Sequence, residues 1–219
     1  MIKAIILDFD GVILESVDIK TEAFRELFSR YTADVEPVVN YHLKNNGVSR
    51  FIKFQHIWEK ILNKKYDDSV KDNLGEEFSK IVTLKVIECP FVAGALDFLN
   101  MFYEKVPLYV ASAVPEKELT KIIDGKEIGK YFNKIYGFPP TSKPAAIADV
   151  KARESADARE ILFIGDSRQD LRAALDSEIF FIARKNKESF TDPGIPVFSD
   201  MKGIIDYIVN NLEVKNERI

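Results

Sequence analysis

Four short stretches of the sequence hold side chains able to do chemistry. Asp8-Phe9-Asp10-Gly11 carries two carboxylates, Ser112-Ala113 a hydroxyl, Thr141-Ser142-Lys143-Pro144 an ammonium, and Gly165-Asp166-Ser167-Arg168-Gln169-Asp170 two further carboxylates. A carboxylate can act as a nucleophile, as a general acid or base, or as a ligand to a hard cation, and a hydroxyl or amide can donate to an oxyanion. On an unbroken strand Asp8 and Asp10 would point alike; Gly11 lets the backbone turn, so the two can take different roles. The plainer uses of such residues are caps: Asp8 and Asp10 at a turn, Asp166 or Ser167 at a helix start, and Ser112 before the helix entered through Pro115. Lys143 opens a helix, where a cation opposes the dipole, so its place argues for more than solvation.

These residues sit at the ends of apolar runs. Ile2 to Phe9, Val106 to Ser112, Ile161 to Ile164 and Ile179 to Ala183 read as strands buried on both faces, with a further strand over Lys134 to Tyr136. Helical stripes alternate with them, such as Ala95, Leu96, Leu99 and Phe102, or Ile204, Ile205, Ile208, Val209 and Leu212. The alternation predicts an α/β fold, a Rossmann-like three-layer core with a parallel sheet between helices. Ligands in such a sheet bind beyond the carboxyl ends of the strands, where the candidate residues lie. From Ser16 to Ile87 the periodicity is helical throughout, with stripes at Phe24, Leu27, Phe28 and Tyr31, at Phe51, Phe54, Ile57, Trp58, Ile61 and Leu62, and at Val70, Leu74, Phe78 and Ile81. The expected organisation is an all-helical cap domain, residues 16–87, inserted into a core of residues 1–15 and 88–219, with Cys89-Pro90 returning the chain.

The four stretches, in this order and at these places, resemble the signature motifs of the haloacid dehalogenase-like hydrolases, in particular the phosphoglycolate phosphatase and beta-phosphoglucomutase group with a helical cap. The resemblance covers nearly the whole chain. It implies a phosphomonoester hydrolase in which Asp8 attacks phosphorus, forming an aspartyl-phosphate that water later hydrolyses. Asp10 would protonate the leaving oxygen and then activate the water. Ser112, the Ala113 amide and Lys143 would bind the phosphoryl oxygens, Lys143 also shielding the nucleophile. With Asp8, Asp166 and Asp170 ionised, Asp10 protonated and Lys143 positive, the pocket would carry a net −2, hostile to a phosphate dianion, so a divalent cation is expected. Oxygen donors without His or Cys select Mg2+. By resemblance its ligands are the Asp8 carboxylate, the Asp10 backbone carbonyl and Asp166, while Asp170 holds a metal-bound water or orients a neighbour. Gly47-Val48-Ser49-Arg50 is similar to the cap loop of the family's sugar-phosphate mutases, which makes Arg50 the candidate specificity residue, with Lys20 a second. Lys53 and His56 follow Arg50 at three-residue steps, either on the same face or on a solvated one.

A sugar phosphomutase is the alternative reading, supported by that loop and by Val110-Ala111-Ser112-Ala113. Against it, the fourth motif reads Gly165-Asp166 where those mutases have Glu-Asp, and Lys20 stands where they tend to have His. A non-catalytic binding protein on the same scaffold is a third reading, but no motif has been lost. Dehalogenation needs no second Asp, so Asp10 argues against the namesake reaction. Other phosphatase chemistries fail: a Cys-x5-Arg motif would put Arg where Ala95 follows Cys89, and neither His42 nor His56 stands in Arg-His-Gly.

In 219 residues, 31 Lys and Arg against 35 Asp and Glu leave a formal charge of −4, which offers nucleic acid or anionic lipid no general attraction. One cysteine forms no internal disulfide, and the opening run Met1 to Leu7, which meets charge at Asp8 and Asp10, is too short for a signal core or a membrane span. The expectation is a cytoplasmic protein acting on a small phosphorylated metabolite, without nucleic acid or membrane.

Overall fold

The structure, a computed structural model, describes residues 1–186 and 190–214. The apolar runs form the strands β1 (Ala4–Leu7), β2 (Leu108–Ser112), β3 (Lys134–Gly137), β4 (Ile161–Gly165), β5 (Phe180–Arg184) and β6 (Val197–Phe198). They make one parallel sheet in the order β3-β2-β1-β4-β5-β6. Every residue of β1, β2 and β4 is buried, as a sheet covered on both faces requires. One face, with Ile5, Leu7, Leu108, Val110, Leu162 and Ile164, packs against helices at Ala95–Phe102, Glu116–Gly125 and Met201–Asn211. Ala4, Ile6, Tyr109, Ala111 and Phe163 pack on the other face against Lys143–Arg153 and Arg168–Asp176.

β6 is absent from the sequence expectation. It is a two-residue edge strand paired to β5 between Pro196 and the Met201 helix, too short to leave a period in the sequence. The β1 run is narrower than Ile2 to Phe9 because the backbone already turns at Asp10, where the Gly11 amide bonds back to the Leu14 carbonyl at 2.8 Å.

Between β1 and the Ala95 helix lie α1 (Val17–Phe28), α2 (Glu36–Lys44), α3 (Arg50–His56), a π-helical turn over Ile57–Ile61, and α4 (Asp68–Glu88). This inserted helical cap is organised around an aromatic cluster: Phe24 to Phe78 at 4.9 Å, Phe54 to Phe78 at 5.6 Å and Phe24 to Phe54 at 5.6 Å between ring centres. Such tilted and edge contacts suit the ring quadrupoles and add to area burial. The later helices are α5 (Ala95–Phe102), α6 (Glu116–Gly125), α7 (Lys143–Arg153), α8 (Arg168–Asp176) and α9 (Met201–Asn211).

The topology decides where the site lies. From β1 the chain builds outward to β2 and β3, then returns to place β4 on the other side of β1. That reversal opens a crevice at the carboxyl ends of β1 and β4.

Candidate active site

Asp8 and Asp166 emerge side by side because Leu7 pairs with Ile164 in register and the Asp8 amide donates to the Ile164 carbonyl at 2.9 Å. Asp170, in the first turn of α8, completes a triad whose ligand oxygens lie within 4.8 Å of one another, all three residues buried. Lys143, the first residue of α7, has Nζ 3.2 Å from Asp8 Oδ2 and forms an ion pair with Asp170. The other Asp170 oxygen accepts from the Ser167 amide at 3.0 Å and from Ser167 Oγ at 2.5 Å. Ser167 Oγ accepts in turn from the Asp170 amide, so Ser167 and not Asp166 caps α8. Asp166 is left facing the crevice, with one oxygen receiving a hydrogen bond from Asn186 Nδ2 at 2.8 Å. Gly11, at φ +75°, is required here: a Cβ on it would stand 2.0 Å from Asp166 Oδ2.

Asp10 turns away from the triad. Its carboxylate accepts from Ser16 Oγ at 2.5 Å and pairs with Lys20. Burial alone would raise its pKa, but the Lys20 charge and the hydrogen bonds from Lys20 and Ser16 outweigh burial and hold it below the usual carboxylate value. Ser112 is buried at the end of β2, where its Oγ accepts from the Val114 amide at 3.2 Å, closing a turn ahead of α6. It borders a cleft of about 320 Å³ shared with Ser49, Ala113 and Lys143.

Asp8, Asp10, Lys20, Ala113, Lys143 and Asp166 line a smaller cavity of about 70 Å³ that the cap helices close. The cap loop rests directly on the core: a Cβ on Gly47, at φ +74°, would come 2.3 Å from Ser167 Oγ. Arg50 lines this cavity, but its charge is already met. Nη1 donates to Glu118 Oε2 at 2.8 Å and Nη2 to Oε1 at 2.5 Å, while Ser79 Oγ donates to the same carboxylate at 2.5 Å and the guanidinium lies 4.5 Å above the Phe78 ring. Lys53 lines the cavity as well, whereas His56 stacks on Tyr41 at 4.0 Å. Sequence reasoning missed His42 in the cavity wall and Glu118 and Ser79 as the partners of Arg50. Glu118, in the first turn of α6, carries no local sign of its partner, whereas the three-residue step from Arg50 to Lys53 was a visible signal for the second cavity-lining cation.

Burial, then the charge of Asp170, push Asp8 up to about 7, against the pull of Lys143. Burial, with Asp8 and Asp170, raises Asp166 well above its usual value. Burial would lower Lys143, but Asp170 and Asp8 reverse that and raise it. Three crowded, buried carboxylates of this kind are relieved by a divalent cation between them, and donors that are all oxygen fit a hard ion such as Mg2+.

A test follows from the sign of these shifts. Asp8 keeps its proton to about 7 when folded but only to 3.8 when unfolded, so across that window the folded state binds more protons and stability falls as pH rises. In chelator, Tm should be several degrees lower at pH 8 than at pH 5, and Mg2+ should recover most of the loss at pH 8. A flat Tm, or one indifferent to Mg2+, would count against a cation between these carboxylates.

Fold and site together define a capped α/β enzyme with an acidic cluster at the strand ends. The chain belongs to the haloacid dehalogenase-like hydrolase family, whose profile matches residues 5–184. The phosphoglycolate phosphatase of Pseudomonas syringae pv. syringae is 25% identical over 191 residues, 83% of this chain and 68% of its own length, so the match spans about two thirds of that relative. Among solved structures, a hydrolase from Pseudomonas syringae is similar with a TM-score of 0.80 at 16% identity, covering 96% of this chain and 100% of that one. A beta-phosphoglucomutase from Clostridium difficile is similar with a TM-score of 0.79 at 19% identity, covering 96% of each chain. At these identities the structural likeness carries the fold alone.

Proposed function

We propose that this protein is a Mg2+-dependent phosphatase that hydrolyses a small phosphomonoester through an aspartyl-phosphate. The observation that carries the reading is the buried Asp8–Asp166–Asp170 triad bridged by Lys143. Residues 16–87 act as a cap over a core of residues 1–15 and 88–219, and the phosphoglycolate phosphatase relative fits a small phosphorylated metabolite as substrate.

The Asp8 carboxylate attacks phosphorus in line; the new Asp8–phosphorus bond forms as the ester P–O bond breaks. Lys143 holds the phosphoryl oxygens and the nucleophile in one place, and Asp170, itself held by Ser167, holds Lys143 in turn. Ser112 Oγ, accepting from the Val114 amide, keeps its own proton to donate to a phosphoryl oxygen alongside the Ala113 amide. Asp10, drawn to Lys20 in this structure, gains affinity for a proton when that pair separates; it then protonates the leaving oxygen and later takes a proton from the attacking water. Asp8, the Asp10 carbonyl and Asp166 would hold Mg2+, which neutralises the charge developing on the phosphoryl group. In this reading the enzyme works in the cytoplasm without nucleic acid or membrane, as the mildly acidic balance of 31 Lys and Arg against 35 Asp and Glu favours.

Hydrolysis is favoured over phosphomutase chemistry by the Arg50–Glu118 pair. A mutase must hold a second phosphate, and the arginine expected to grip it is neutralised by a core carboxylate. Phosphate release from a panel of small esters should depend on Mg2+. Phosphate transfer between positions of a sugar phosphate without release would establish the mutase, and silence across the panel a scaffold without turnover.

A further inference from the structure

The three buried carboxylates of the crevice are held by different donors. Asp8 has Lys143 beside it, and Asp170 has Lys143 and Ser167. Among the described residues, the one hydrogen-bond donor to the Asp166 side chain is Asn186, whose Nδ2 stands 2.8 Å from Oδ2. An Asn side chain carries both a donor and an acceptor, whereas an ionised carboxylate only accepts, so Nδ2 is the atom that faces it. Asn186 belongs to none of the four motif stretches and lies 20 residues beyond Asp166 in the chain.

The fold fixes Asn186 at this place. β5 pairs with β4 so that Ala183 stands opposite Gly165, the residue before Asp166. Just beyond, the Lys185 amide donates to the Phe198 carbonyl at 2.7 Å, and Arg184 donates through Nε to the Ser199 carbonyl at 3.2 Å and through Nη2 to Glu15 at 2.5 Å. The segment that carries Asn186 is thus tied to the edge strand β6 and to the linker that enters the cap. Gly11 closes the other side: a Cβ there would come 2.7 Å from Asn186 Nδ2 as well as 2.0 Å from Asp166 Oδ2. The last torsion of an Asp side chain is broad, so a hydrogen bond to one oxygen is what sets the direction of both. Mg2+ demands near-ideal octahedral geometry, and a ligand already set in place loses less freedom on binding it.

We propose that Asn186 is a positioning residue: its side-chain amide holds the Asp166 carboxylate in the orientation that receives Mg2+. This deepens the Mg2+-dependent reading and rests on it. Removing the donor should weaken Mg2+ binding by at least about 10-fold, the loss typical of a group that orients a metal ligand. The test titrates Mg2+ into wild type and Asn186→Leu, which is close in shape and cannot donate, and reads the dissociation constant by calorimetry without substrate. Tm of both proteins is measured in chelator. Half-buried Asn186 contributes little to the metal-free fold, so the two Tm values should agree within about 2 °C. Weaker Mg2+ binding at matched Tm is the expected result. Equal Mg2+ affinity would overturn the role, and so would a lower chelator Tm with Mg2+ affinity unchanged, which is what a merely structural bond would give. Should Asn186→Leu fold poorly or lose chelator stability, Asn186→Ala, which adds no bulk, is read by the same two measurements. A wild type that binds no Mg2+ would remove the Mg2+ reading itself and the role of Asn186 with it, an outcome distinct from equal binding by both proteins.

Discussion

Asp8→Asn should abolish Mg2+-dependent phosphate release, lowering kcat by at least about 10³-fold, while the protein stays folded. An amide of the same shape cannot form the acyl-phosphate, so no residual route through this position exists. The structure adds an expectation about stability. Asp8 is pushed up to about 7 by burial and by Asp170, so its ionised form is repelled at neutral pH, and removing that charge relieves the triad. Lys143 keeps Asp170 as partner. In chelator at pH 8, Tm of Asp8→Asn should therefore equal or exceed that of wild type. Turnover that survives the substitution would end the nucleophile assignment; a folded but inactive variant with unchanged or raised Tm is the expected pair of results.

The second large effect is structural. Arg50 and Glu118 are 5% and 9% exposed at their side chains and join α3 of the cap to α6 of the core. Burial would raise Glu118, but Arg50 and Ser79 hold it below its usual value, so the stability it contributes is present above the ordinary glutamate range and is lost as pH falls through its folded value. Removing one partner leaves a buried charge unmatched. Arg50→Met and Glu118→Met should each cost about 3–5 kcal/mol, or roughly 10 °C in Tm for a chain of this size. The double variant, with both charges gone, should recover much of the loss. Additive losses across the cycle would show that the two groups do not act as a pair.

The parallel core was legible because strands buried on both faces announce themselves as apolar, β-branched runs and helices as single stripes. Ile161 to Ile164 and Val106 to Ser112 needed no tertiary information. The edge strand at Val197–Phe198 was not legible, because two residues leave no period and its partner β5 alone makes it a strand. Ser167 and Asp166 were indistinguishable as caps in one dimension; the reciprocal bonds between Ser167 and Asp170 separate them. Arg50 stood out by its loop, yet nothing local to it names Glu118, which lies 68 residues away in sequence.

By itself the sequence determined the α/β core, the helical insertion and the identity of the chemically able residues, since burial periodicity and residue type are local properties. Tertiary structure alone decided which charges meet. It set Asp8 beside Asp166 through strand register, drew Asp10 to Lys20, gave Arg50 to Glu118 and left Lys53 with His42 in the cavity wall. Charge pairing depends on distance in space, and Coulomb attraction between groups far apart along the chain exists only once the fold has brought them together.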